Sequence, residues 1–189
     1  ADLPDAPAGV TVETLLATEY GVHPEQVLVT AGVRHANVAA AAAAIDAGDV
    51  AAVESPGREA LWRTSAALGA EVRRFERTAL GDGTLPGDAA LVALTNRHEP
   101  TGELATRAEL RETAATARDA GARLLVDESY APYVEEAGDG PFGAPSAVGL
   151  DGVAVTGSRA VAVGSPTAVS GSQTTRLATG VPSPVVGVD

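Results

Sequence analysis

The 189 residues suffice for one domain with a real core, and a composition 45% apolar but only 3% aromatic requires that core to be built from closely packed Ala, Val and Leu. The 25 acidic residues outnumber the 13 basic ones, all of them Arg, and the net charge of -12 disfavours binding to nucleic-acid backbones or anionic membranes. The absence of cysteine excludes disulfides, thiol catalysis and Cys-ligated metals, and the acidic, Lys-free composition suits a salt-rich, halophile-like cytoplasm.

In chain order, residues 12–22 carry apolar residues at helical spacing and stop at Gly21, a good left-handed terminator. A strand follows over 25–30, then an Ala-rich helix over 33–49 that ends at Gly48. Residues 50–55 read as a strand, 58–70 as a helix and 70–76 as a half-exposed strand, before the turn-rich GDGTLPGD over 81–88. AALVALT over 89–95 is wholly apolar up to its last residue, as a strand buried on both faces must be. A capping box, Thr106 with Glu109, opens a helix that closes at Gly121, and strands over 122–128 and 152–157 complete the set. This alternation predicts a doubly wound, mainly parallel α/β sheet, whose ligands collect at the carboxyl ends of the strands. Asp127, at the tip of LLVDESY, falls there, as do Asn96, His98 and Glu99 if the strands are parallel.

Other motifs are less informative. GDGPFG over 138–143 has dinucleotide-type glycine spacing, but it follows an acidic stretch rather than a strand and reads as a loop. A Walker loop is impossible without Lys, no G-x-S-x-G elbow occurs, and His23, His35 and His98 lack ligand spacing, so no metal site is expected. VTAGVRHAN ends a strand at a glycine and starts a helix at once, which leaves the amides of Val33 and Arg34 facing outward as an anion site. No apolar run approaches the ~18 residues of a membrane span. The opening ADLPDAPAGV is acidic where a signal peptide is basic, so a cytoplasmic chain is expected. After Ser158 the composition changes, with Asp189 the single remaining acid; the expected organisation is a main part over 1–158 and a low-complexity, poorly structured tail over 159–189.

Taken together, YGVHPEQVLVTAGVRHAN, GDVAAVESPGREAL, TNRHEPTG and LLVDESY resemble, in this order, the large domain of class I/II, fold-type I pyridoxal-phosphate-dependent aminotransferases over residues 10–158. The resemblance implies amino-group transfer between amino acids and 2-oxo acids on pyridoxal phosphate, in a homodimer. It implies that Asp127 holds the proton of the cofactor's ring nitrogen, that Tyr130 and the Glu99 position face the ring hydroxyl, and that the Val33 and Arg34 amides and the Ser158 hydroxyl hold the phosphate. Departures from the family pattern are equally specific. Val161 stands at the Schiff-base lysine, Glu99 at an asparagine, Arg97 at a proline and Val169 at a phosphate-binding arginine, while Arg58 stands at the stacking tyrosine, where its guanidinium plane would stack instead. The family's small domain and most of its N-terminal arm have no counterpart in these residues. The sequence therefore reads as a truncated or degenerate, catalytically inactive homologue. The alternatives are a noncovalent pyridoxal-phosphate or phosphate-ligand module, a dimer partner of an intact homologue, or an enzyme with His98 or Glu99 as its base.

Overall fold

The computed structural model of the chain describes residues 9–80, 84–134 and 143–157, and the backbone of 161–164. Helices α1 (Val12–Tyr20), α2 (Val33–Ala42), α3 (Glu59–Ala67) and α4 (Arg107–Asp119) pack on a sheet of seven strands. These are β1 (Val27–Val29), β2 (Val50–Glu54), β3 (Glu71–Phe75), β4 (Ala89–Thr95), β5 (Arg123–Asp127), β6 (Val153–Thr156) and β7 (Val161–Gly164). Their spatial order is β1-β7-β6-β5-β4-β2-β3. All neighbours pair in parallel except β7, which runs antiparallel to both β1 and β6. The architecture is the expected doubly wound, mainly parallel sheet.

The central strands are buried on both sides because successive side chains alternate between two hydrophobic layers. Val92, Leu94, Leu124 and Val126 join Leu16 and Ala17 of α1 and Leu110, Ala114 and Ala117 of α4. Leu91, Ala93 and Leu125 join Ala41, Ala44 and Ile45 at the end of α2 and Leu61 of α3. Small residues let helices approach closely, which is how a chain poor in aromatics fills its core. Among the described residues no helix is long and apolar enough to cross a membrane.

The termini follow local chemistry. Gly21 ends α1 at φ 64°, and its N–H bonds back into the helix. Thr106 caps α4: its hydroxyl accepts from the Glu109 amide at 3.3 Å while the Glu109 carboxylate accepts from the Thr106 amide at 2.8 Å. Two expectations shift. Residues 24–26 form a 3-10 turn capped by His23, so β1 starts at Val27. The Ala-rich helix ends at Ala42, well before Gly48. There the Asp49 carboxylate takes the Asp46 amide at 2.8 Å, a local bond that competes with helix continuation, while Ala44 and Ile45 turn into the core. Of the stretch 159–189, the backbone of β7 lies in the sheet; the remainder, with Ser158, Val169 and most of GDGPFG, lies outside the described residues.

Candidate cofactor site

Parallel pairing brings Thr95, Asp127 and Thr156 side by side at the carboxyl edge, since Thr95 pairs with Asp127 and Asp127 with Thr156. Asp127 is only 1% exposed, and a carboxylate so placed requires several donors. It has four. Oδ1 accepts from the Ser129 amide at 3.0 Å and from the Ser129 hydroxyl. Oδ2 accepts from Asn37 Nδ2 at 3.0 Å and from Arg58 Nη1 at 2.7 Å. Asn37, buried on α2, also accepts the Thr156 hydroxyl at 2.6 Å, so its amide ties β5, β6 and the helix together. Asn37 lies one turn, roughly 6 Å along the axis, beyond Val33. The helix opens at Gly32 with φ 92°.

Arg58 enters from the loop after β2, as the residue immediately before α3. Besides Asp127, its Nη1 reaches the Ser129 hydroxyl at 3.1 Å, and its Nε lies 3.5 Å from Glu99 Oε2. Its Cζ sits 5.5 Å from the Tyr130 ring centroid, within cation–π range. Burial works against its charge, but Asp127, Glu99 and Tyr130 outweigh that effect and hold the guanidinium more firmly protonated than a free arginine. The Tyr130 hydroxyl is 3.5 Å from Glu99 Oε2. An open groove lined by Arg97, His98, Glu99, Pro100, Gly102 and Tyr130 borders this cluster.

Two further buried acids support the edge. Glu54 Oε1 accepts from the Thr95 amide and hydroxyl, and Oε2 accepts from Arg77 Nη1 at 3.0 Å. Burial pushes its carboxyl above the usual range, while the Thr95 donors and Arg77 pull the other way. His98 is fixed nearby: Nε2 donates to the Pro56 carbonyl at 2.8 Å, and Nδ1 meets the Thr101 hydroxyl at 2.7 Å. Glu128 Oε2 accepts from the Ser146 hydroxyl at 2.6 Å and Oε1 from the Ala147 amide at 2.7 Å. Burial dominates there and pushes Glu128 up to about 7.

The structure thus gathers Asp127, Tyr130 and Glu99 around Arg58, with Asn37 of α2 on Asp127; no contact of Val33 or Arg34 with this cluster is seen among the described residues. The backbone of Val161 pairs with that of Val29. Arg58 meets Asp127 through its Nη1 edge and sets its guanidinium over the Tyr130 ring. His98 has both ring nitrogens engaged in packing bonds, which leaves neither free to act as a base. Sequence reading missed Asn37 and Arg77. A lone amide in an Ala-rich helix was a usable signal for Asn37; nothing local marks Arg77, whose partners lie on other strands.

The sequence model of the family described as aminotransferase class I and II matches residues 9–173, and the chain belongs to that family. No curated protein matches the sequence. Among solved structures, a PLP-dependent aminotransferase from Streptococcus suis is similar at 25% identity and TM-score 0.66, over 87% of this chain and 47% of that one. An aminotransferase from Mycobacterium tuberculosis is similar at 24% identity and TM-score 0.67, over 77% and 41%. L-threonine-O-3-phosphate decarboxylase from Porphyromonas gingivalis shares the fold at 18% identity and TM-score 0.67, over 88% and 53%. The chain spans about half the length of these proteins.

Members of this family and fold bind pyridoxal phosphate. The residues present do not fit that group in the family's manner. Both Asp127 carboxylate oxygens already carry donors, with Arg58 on Oδ2 at 2.7 Å, and none of the 189 residues is a lysine able to form an imine.

Proposed function

We propose that this chain is a catalytically inactive member of the aminotransferase family, which keeps the large-domain scaffold without the chemistry of amino-group transfer. The observation that carries this reading is the absence of Lys from the sequence; by the resemblance, Val161 stands at the lysine position. An aliphatic side chain can neither form an imine nor carry the α-proton of an amino acid. His98 does not replace it, because both of its nitrogens are engaged, and Glu99 faces Arg58. Tyr130, Glu99, the Val33 and Arg34 amides and Ser158 are, in this reading, remnants of a cofactor site for amino acid and 2-oxo acid substrates.

The alternative of noncovalent pyridoxal-phosphate binding is disfavoured by the four donors already on Asp127. A role as partner of a second copy or of an intact homologue has one support: Val12 and Leu15 stand 55% and 61% exposed on α1. The acidic composition supports placement in a salt-rich cytoplasm. Reductive trapping is the test. The chain is incubated with pyridoxal 5'-phosphate, reduced with borohydride and mapped by mass spectrometry. No pyridoxyl adduct is expected on any side chain; a side-chain adduct within the matched region overturns the proposal.

A further inference from the structure

We infer that Arg58 is the resident cation of the Asp127 site and closes it to pyridine-ring ligands by occupying the place of a protonated ring nitrogen. The inference rests on the family reading of the site and goes beyond the missing lysine, since it concerns noncovalent binding. Four observations carry it. Arg58 Nη1 lies 2.7 Å from Asp127 Oδ2, a charge-assisted contact to a side chain with no exposed surface. The same guanidinium reaches the Ser129 hydroxyl at 3.1 Å, so it engages the carboxylate and one of the groups that orient it. Tyr130 covers its face and Glu99 approaches its Nε, which fixes the fork on the remaining sides. Finally, Asn37 and Ser129 supply Asp127 with every donor it needs apart from a cation, the arrangement of a carboxylate built to hold one positive partner.

The competition is unequal. Arg58 is tethered to the site, so a diffusing ligand competes against a partner at high effective concentration. A guanidinium does not lose its charge in the accessible pH range, so raising the pH does not vacate the carboxylate. The ring oxyanion of such a ligand, which the family resemblance turns towards Glu99, also meets a negative charge there, since Glu99 remains 45% exposed at the mouth.

The probe is pyridoxamine 5'-phosphate, which carries an amine in place of the aldehyde and needs no lysine to bind. Wild-type chain is expected to show no saturable binding up to millimolar probe by equilibrium dialysis. Arg58→Ala is expected to bind at least tenfold more tightly, and Arg58→Ala/Asp127→Asn to lose that gain. Wild-type binding as tight as that of Arg58→Ala, or a folded Arg58→Ala with no gain, overturns the inference. Either result leaves the absence of imine chemistry untouched. If Arg58→Ala does not fold, urea denaturation of Arg58→Gln and Arg58→Gln/Asp127→Asn decides the matter. Removing the stranded carboxylate charge is expected to raise the folding equilibrium constant at least tenfold, and no gain from the second substitution overturns the counter-ion assignment.

Discussion

Asp127 is the residue on which the site is organised, and its environment shows which interactions its burial demands. Asn37 is the least replaceable of its neutral partners, because one amide serves both the carboxylate and the Thr156 hydroxyl. Asn37→Ala leaves two buried groups short of a partner and is expected to cost about 1–3 kcal/mol, measured by urea denaturation. Glu128 behaves differently. Its folded value, pushed up to about 7, exceeds the unfolded one of about 4.3, so between those pH values the folded state keeps a proton that the unfolded state has released. Its contribution to stability is therefore fully present at low pH, declines as pH rises through that window, and is lost above about 7, a span of roughly 3–4 kcal/mol. Glu128→Gln keeps an acceptor for the Ala147 amide and removes the titratable proton. It is expected to flatten the pH dependence of stability between pH 5 and 8 relative to wild type; identical pH profiles would count against the buried, protonated form.

At the scale of elements, the loop after β2 is the tightest joint. A Cβ added at Gly57 would lie 2.7 Å from Glu54 Cγ and 2.8 Å from the Glu54 carbonyl oxygen, closer than atoms pack. Gly57→Ala is expected to destabilise by about 1–3 kcal/mol and to displace Arg58, its neighbour in sequence; thermal denaturation reads the first effect. Elements governed by local chemistry were legible in the sequence. The apolar run of β4, the Thr106–Glu109 box and the Gly21 stop all appear as their residues dictate. The end of α2 was not, because helix propensity favours continuing through alanine, whereas the structure turns at Asp46–Asp49 and buries Ile45. The site was half legible. Asp127 at a strand tip follows from topology, but its pairing with Arg58 spans 69 residues and that with Asn37 spans 90, and periodicity carries no information on contacts so distant.

For the whole molecule, the alternation of strands and helices was sufficient to predict the parallel sheet, and the family match over residues 9–173 agrees with it. A net charge of -12 bears on stability as well as on partners. Self-repulsion among acidic side chains weakens as the Debye length falls from about 10 Å at 0.1 M salt to about 3 Å at 1 M. The melting temperature is expected to rise over that range in potassium chloride; a fall would show that screened Arg–carboxylate pairs matter more than the excess of negative charge. If the family scaffold is retained without its chemistry, the chain has no turnover of its own. The chain is assayed with saturating pyridoxal 5'-phosphate, acidic, aromatic or aliphatic amino acids, and a 2-oxo acid acceptor. New amino acid is expected to form no faster than with cofactor alone. A rate that rises in proportion to protein concentration and is lost in Asp127→Ala would contradict it.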